Sequence, residues 1–312
     1  MSSIAFIFPG QGSQSVGMGK ALADAFPEAK AVFDAANDAL GEKLSTLCFE
    51  GPDDALKLTA NTQPAILTVS IAAHAVFSKR FATAPTVVAG HSLGEYSALV
   101  AAGAMSLGDA VRSVRARGTF MQAAVPQGSG AMAAVLGLDP AKVAAICLEA
   151  AQGEVVSPAN FNEPAQTVIA GHAKAVERAS ELLKAAGAKR VVPLPVSAPF
   201  HSALMQPVVA QLDAVLGKVA FVNPKVPVVS NVEATPNADG SRVKALLLDQ
   251  VVGSVRWIEC VQAMERAGVT KVVELGPGRV LCGLVKRIAK GLETFNVEDP
   301  ASLEKTLAAL GA

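Results

Sequence analysis

Gly90-His91-Ser92-Leu93-Gly94 places a serine between an apolar run that favours a β-strand and a segment with helical spacing. The strand is predicted by Thr86-Val87-Val88-Ala89, and the helix by the Ala, Leu and Val residues spaced along 95–105. Small residues on both sides of the serine let the chain turn sharply and expose the hydroxyl. We interpret this segment as a nucleophile elbow; the less specific alternative is an ordinary strand-to-helix turn.

Short apolar runs separated by helical patterns predict an α/β fold with a mostly parallel sheet. The predicted core strands are 4–8, 86–89, 226–230 and 269–275. Between 130 and 197 the pattern changes to strands 131–136, 154–159, 166–170 and 190–195 with helices 140–152 and 173–186, which is the βαββαβ order of a ferredoxin-like unit. We therefore predict an α/β-hydrolase-like core of 1–127 and 199–312, a ferredoxin-like subdomain at 128–198, and a binding cleft between them.

The composition narrows the class of protein. The chain has 312 residues, 51% of them hydrophobic, with 27 basic and 27 acidic side chains. That balance gives no field that would recruit nucleic acid or an anionic membrane, and no segment has the pattern of a membrane span or a secretory signal. The four cysteines are scattered without a metal-binding spacing. We expect a cytoplasmic, monomeric enzyme without a metal ion.

A serine nucleophile needs a base, and the chain has only four histidines. His74 lies in an apolar helical run and is predicted to pack, and His172 begins a helix. His91 precedes the serine and should point away from its hydroxyl. His201, in the hinge that follows the small subdomain, is the predicted base; the alternative is a hydrogen-bonded loop histidine.

The sequence offers no acidic residue that clearly completes a triad. A backbone carbonyl, an amide side chain or a carboxylate could each orient His201. For the tetrahedral oxyanion, the backbone N–H of Leu93 is one predicted donor. The glycine-bearing loop 9–13 is predicted to supply a second, and it lacks the remaining glycine of a dinucleotide-binding loop.

A helix predicted to begin after Ser106 carries three arginines and one apolar face. Arg112 projects away from that face, whereas Arg115 and Arg117 both flank it. A partly buried guanidinium favours a carboxylate ligand, while an arginine that extends to solvent is the common alternative. Helical periodicity does not choose between Arg115 and Arg117.

Ordered motifs along the whole chain resemble the malonyl-CoA:acyl carrier protein transacylase family of bacterial type II fatty-acid synthesis. The motifs stand at 9–14, 61–64, 90–96, 117, 159–162, 166–171, 200–202, 230–232, 250, 255–257 and 274–278. This resemblance implies an acyltransferase that carries malonyl from malonyl-CoA to the phosphopantetheine thiol of acyl carrier protein through an ester on Ser92. No cofactor beyond these substrates is implied.

The resemblance also implies a role for individual residues. His201 would be the base, oriented by the main-chain carbonyl of Gln250, and the amides of Gln11 and Leu93 would hold the oxyanion. Arg117 would pair with the malonyl carboxylate. The remaining substrate-binding residues would be Asn160, Asn162, Phe200 and Met121, with Phe200 excluding an α-methyl branch. Glu163 departs from the small residue that the family often has.

Two other functional classes remain open from the sequence. A serine thioesterase or esterase would use the same Ser92–His201 pair, and a noncatalytic protein could bind the carrier without reacting. For an acidic carrier, we consider a basic docking patch formed by Lys189, Arg190, Lys286 and Arg287.

Overall fold

The computed structural model describes residues 3–126, 128–196 and 198–312. The strands in this part of the chain are β1 (Ile4–Phe8), β2 (Val87–Gly90), β3 (Gly130–Leu136), β4 (Val156–Glu163), β5 (Gln166–His172), β6 (Arg190–Pro193), β7 (Val228–Val229), β8 (Pro236–Asn237), β9 (Lys271–Leu275) and β10 (Glu293–Val297). The helices are α1 (Lys20–Ala25), α2 (Pro27–Leu40), α3 (Leu44–Glu50), α4 (Asp53–Lys57), α5 (Thr59–Arg80), α6 (Gly94–Ala101), α7 (Leu107–Ala123), α8 (Pro140–Ala151), α9 (Ala173–Ala185), α10 (Gln206–Leu216), α11 (Gly240–Val252), α12 (Trp257–Arg266), α13 (Val280–Ile288) and α14 (Pro300–Leu310).

The larger sheet has the strand order β10-β9-β1-β2-β7-β8. All its neighbouring strands run parallel except β7 and β8, which pair antiparallel. Every residue of β1 is buried, because its side chains alternate between two apolar clusters on opposite faces of the sheet. Phe6 and Phe8 pack on one face, and Ala5 and Ile7 pack on the other. A strand covered on both faces therefore appears in the sequence as a continuous apolar run.

The second sheet is antiparallel, with the order β4-β5-β3-β6. One of its faces packs against α8 and α9. The opposite face carries a small apolar cluster centred on Met132, against which Leu194, Val196 and Phe200 pack. That second face therefore reaches the region of His201, which follows Phe200 directly.

The structure confirms an α/β fold with a mostly parallel sheet and a separate antiparallel sheet. The strand predicted at 4–8 has those bounds, and the one predicted at 226–230 shortens to Val228–Val229. The sequence analysis did not predict β8 or β10. The first is a two-residue strand that begins with proline, and the second is an edge strand in which polar residues interrupt the apolar pattern. In the described residues, no helix has both the length and the apolar character needed to cross a bilayer.

Candidate active site

The turn between β2 and α6 holds Ser92 with φ +50°, in the left-handed region that non-glycine residues seldom adopt. The flanking glycines make this turn possible. A Cβ on Gly90 would lie 1.9 Å from the backbone of Gly94, and a Cβ on Gly94 would lie 2.1 Å from the carbonyl oxygen of Phe8. The elbow is thus packed against the end of β1, and the strain at Ser92 is held by tightly packed backbone.

The Ser92 hydroxyl and the His201 imidazole form a hydrogen-bonded pair. Ser92 Oγ lies 2.7 Å from His201 Nε2, and His201 Nδ1 lies 2.8 Å from the carbonyl oxygen of Gln250. Because a carbonyl only accepts, Nδ1 donates to it and Nε2 is left to accept the serine proton. Burial, together with the charge of Arg117, lowers the pKa of His201 to about 3. The imidazole is therefore neutral at physiological pH.

Two backbone amides stand beside the elbow without an internal partner. Among the described residues, neither Leu93 N–H nor Gln11 N–H donates a hydrogen bond within the chain. The loop that carries Gln11 contacts the elbow closely, since a Cβ on Gly10 would lie 2.5 Å from the carbonyl oxygen of His91. Free N–H groups at this position are what a developing oxyanion requires.

Arg117 projects from α7 into the same site and is 1% exposed. Its Nη1 donates to Gln63 Oε1 at 2.8 Å, and its Nη2 donates to Gln250 Oε1 at 2.9 Å and to Ser92 Oγ at 3.1 Å. Within the described chain, Nε has no hydrogen-bond partner and no carboxylate is within ion-pair distance of the guanidinium. Burial lowers the pKa of Arg117. Such a group is suited to an anionic ligand that enters from outside.

The two arginines that periodicity left open are separated by the structure. Arg115 bonds Asn61 and Glu42 at the surface, away from Ser92. Arg117 faces the serine. The spacing of apolar residues along the helix could not distinguish the two arginines, because both side chains leave the helix beside its buried face.

A cavity of about 120 Å³ lies in front of Ser92, His201 and Arg117. Of the substrate residues predicted from the sequence, Met121, Asn160 and Phe200 line it, as do the two residues predicted to hold the oxyanion. The cavity meets a groove of about 950 Å³ along a shared wall formed by Gln11, Leu194 and Val196. A small cavity in front of the three side chains thus adjoins a much larger groove.

Asn162 is placed differently from the prediction, since it is not among the described residues that line the cavity. Its Oδ1 lies 2.9 Å from the Nε2 of His91, a residue that does line the cavity. The His91 ring also packs against Trp257, with centroids 5.6 Å apart. Glu163 contacts Arg287 at 3.3 Å.

The remaining histidines have structural partners. His74 packs edge-on against Phe6 and Phe8, and its burial lowers its pKa to about 4. His172 Nδ1 accepts a hydrogen bond from Val155 N–H at 2.9 Å.

The sequence analysis assigned no chemistry to four polar groups behind the site: the side chains of Gln63, Glu95, Asn231 and Gln250. Asn231 Oδ1 accepts from Ser92 N–H at 2.7 Å, and its Nδ2 donates to the carbonyl oxygen of Gly90 at 2.7 Å. Each residue lies within or beside a quoted motif. No periodicity marks a polar side chain as buried, however, so the motif position was the only available signal.

Comparison with known proteins gives a consistent result. The acyl transferase domain family matches residues 5–303. The malonyl CoA-acyl carrier protein transacylase of Escherichia coli is 49% identical over 307 residues, which cover 98% of this chain and 99% of the relative.

Two solved structures are similar over nearly the whole chain. The acyl carrier protein S-malonyltransferase of Vibrio cholerae O1 is 49% identical, with a TM-score of 0.96 over 98% of this chain and 100% of its own. A malonyl-transacylase in complex with its type II PKS acyl-carrier protein is 47% identical, with a TM-score of 0.96 over 99% of this chain and 100% of its own.

Proposed function

This chain belongs to the acyl transferase domain family, and from that membership and the geometry of its site we propose that it is a malonyl-CoA:acyl carrier protein transacylase of fatty-acid biosynthesis. The observation that carries the proposal is the convergence of two side chains, His201 and Arg117, on the hydroxyl oxygen of Ser92. Ser92 Oγ lies 2.7 Å from His201 Nε2 and 3.1 Å from Arg117 Nη2. A nucleophile, its base and a carboxylate-binding group thus share one small cavity.

In the first half-reaction, Ser92 Oγ attacks the thioester carbonyl of malonyl-CoA as His201 Nε2 takes the hydroxyl proton. The tetrahedral oxyanion is held by the amides of Gln11 and Leu93. Collapse breaks the C–S bond, and His201 returns its proton to the departing CoA thiolate. The Gln250 carbonyl holds the imidazole in the required tautomer and orientation throughout.

In the second half-reaction, His201 takes the proton of the carrier's phosphopantetheine thiol, and the sulfur attacks the malonyl ester. The C–O bond to Ser92 breaks, and the proton returns to Oγ. Both half-reactions exchange one acyl group between serine and a thiol, so the same donors serve both and no further cofactor is required.

Arg117 selects the acyl group through its carboxylate. Its Nη2 reaches Ser92 Oγ at 3.1 Å and its Nε has no partner in the described chain, so the guanidinium would bind the malonyl carboxylate through two hydrogen bonds once Nη2 releases Ser92 Oγ. Phe200 and Met121 would narrow the cavity around the methylene carbon of the malonyl group, and Asn160 would add a polar contact to that group. Asn162 acts indirectly by holding His91, which lines the cavity.

The arrangement of the two sheets supports two more specific fold assignments. The strand order β4-β5-β3-β6, connected βαββαβ, supports a ferredoxin-like subdomain within 128–198, and the elbow on a parallel sheet supports an α/β-hydrolase-like core of 1–127 and 199–312.

We expect the enzyme to act as a cytoplasmic monomer. The carrier would dock at the basic patch of Lys189, Arg190, Lys286 and Arg287, and carrier-dependent turnover should then weaken as salt increases.

Mass spectrometry of the intact protein mixed with malonyl-CoA tests the function. A malonyl adduct on Ser92 is expected, followed by its loss when holo-acyl carrier protein is added and malonyl-carrier appears. The Ser92→Ala variant provides the blank. Absence of an adduct in the wild-type protein would refute the proposal.

The same experiment separates a transferase from a serine thioesterase or esterase. A hydrolase would release free malonate in the absence of carrier, at a rate close to its rate of acylation. Persistence of the malonyl-serine ester until carrier is added is the result that the transferase predicts.

A further inference from the structure

A buried carboxylate stands directly behind the nucleophile and has no part in the steps derived above. Glu95 lies in the first turn of α6 and is 3% exposed. Its Oε2 accepts a hydrogen bond from Gln250 Nε2 at 2.7 Å and another from Asn231 N–H at 3.1 Å. A single carboxylate oxygen thus accepts hydrogen bonds from Gln250 and Asn231, the two residues that hydrogen-bond the backbone of Ser92.

Gln250 is the point through which the reacting groups are connected. Its main-chain carbonyl orients His201, its Nε2 donates to the carbonyl oxygen of Ser92 at 3.0 Å, and its Oε1 accepts from Arg117 Nη2 at 2.9 Å. The side-chain amide must therefore present its oxygen to Arg117 and its nitrogen to the elbow.

An amide side chain is nearly symmetric in shape, so packing alone does not choose between its two orientations. Arg117 and the Ser92 carbonyl already favour one orientation, and Glu95 adds the buried charged acceptor that fixes it. A carboxylate oxygen accepts only, so the group facing Glu95 Oε2 has to be the amide nitrogen. In the reversed orientation, Gln250 would place its oxygen against Glu95 and its NH₂ against the guanidinium, and both contacts would be unfavourable.

We propose that Glu95 is a positioning residue for acyl transfer: it fixes the orientation of the Gln250 amide, and through that amide the position of Arg117 relative to Ser92. The inference rests on the proposed function, because Arg117 is assigned there to the malonyl carboxylate. Its effect should therefore appear in the choice between acyl groups as well as in the rate.

Three variants at this position separate the acceptor oxygen from the charge. Glu95→Ala removes the acceptor, and Glu95→Asp keeps the charge but draws the oxygens back by one methylene, out of hydrogen-bond reach of Gln250. Glu95→Gln removes the charge and keeps an oxygen that can accept both bonds. Ser97→Ala is the matched control, since Ser97 is buried in the same helix and its hydroxyl has no partner in the described chain.

The readouts are the single-turnover rate of Ser92 acylation by malonyl-CoA and the ratio of that rate to the rate with acetyl-CoA. For Glu95→Ala and Glu95→Asp we expect malonylation to slow by about 10- to 100-fold and the malonyl-to-acetyl ratio to fall by about tenfold. Glu95→Gln should restore both quantities to within about threefold of wild type. Ser97→Ala should match wild type.

Thermal unfolding monitored by circular dichroism identifies the variants that fold. A folded Glu95→Ala or Glu95→Asp variant that keeps the wild-type acyl ratio would overturn the proposal, as would a Glu95→Gln variant as impaired as Glu95→Ala. If Glu95→Ala does not fold, Glu95→Asp decides. Failure of the wild-type protein to malonylate would instead count against the proposed function, so the two failures are distinguishable.

Discussion

Replacing Arg117 by alanine should change which acyl group the enzyme prefers. In the structure the guanidinium is buried, its Nη1 is taken by Gln63, and its Nε has no partner in the described chain. The malonyl carboxylate would complete this side chain's hydrogen bonding, whereas an acetyl group brings no anion to the same place. Arg117→Ala therefore removes an interaction that only the malonyl substrate makes.

The size of the effect follows from the number of bonds lost. Two hydrogen bonds between charged groups contribute about 1.5 kcal/mol each at the lower end of the usual range, or about 3 kcal/mol together. That free energy corresponds to a loss of at least about 100-fold in kcat/KM for malonyl-CoA. Acetyl-CoA should lose less than about tenfold, because it is affected only through the Nη2 contact with Ser92.

The assay is competitive single-turnover acylation with malonyl-CoA and acetyl-CoA, resolved by the two adduct masses on Ser92. Arg115→Ala is the matched control, because it removes a guanidinium from the same helix outside the cavity. Arg117→Lys should fall between wild type and Arg117→Ala, since it keeps the charge and loses the planar fork. An Arg117→Ala variant with the wild-type malonyl-to-acetyl ratio would refute the reasoning.

Three further results are expected. His201→Ala should slow acylation by about 1000-fold, measured by quenching the reaction at set times, and should leave the melting temperature measured by circular dichroism unchanged. Acylation at the wild-type rate would exclude His201 as the base. Because burial and Arg117 lower the pKa of His201 to about 3, wild-type acylation should fall less than about twofold from about pH 7.5 to about pH 5.5, where an ordinary imidazole would lose about tenfold. Glu95, with its pKa raised by burial to about 7, takes up a proton in that window, and its Oε2 can still accept. Phe200→Ala should raise acylation by methylmalonyl-CoA relative to malonyl-CoA by about tenfold, and no change in that ratio would remove Phe200 as the selecting residue.

The parts of the fold that are buried on both sides could be predicted from the sequence. The run at 4–8 is continuously apolar because both faces of β1 are covered, and the glycines around Ser92 reflect contacts too close for any Cβ. In contrast, β10 is an edge strand with an interrupted pattern, and nothing local distinguishes it from a loop. Edge strands take their structure from the neighbour that they pair with, which a single segment does not reveal.

Within the site, the sequence could identify the chemical groups and not their supports. Ser92 and His201 are conspicuous because few residue types perform nucleophilic and base catalysis. Gln63 and Asn231 are ordinary amides until the fold brings them beside Arg117 and the elbow. Buried amides contribute through partners that are distant in sequence, so their roles become visible only with the contacts.

The presence of Arg117 explains why a neutral carbonyl, and not a carboxylate, orients His201. A carboxylate on His201 Nδ1 would place a fixed negative charge near the guanidinium, because Gln250 meets His201 Nδ1 through its carbonyl oxygen and Arg117 Nη2 through its side chain. In a buried site, the fixed charge would compete with the malonyl carboxylate for the same donors. A backbone carbonyl meets the need for an acceptor at Nδ1 without adding charge. The buried carboxylate of this site, Glu95, is accordingly held behind Gln250, where it orders the amide, and Arg117 Nε stays without a partner in the described chain.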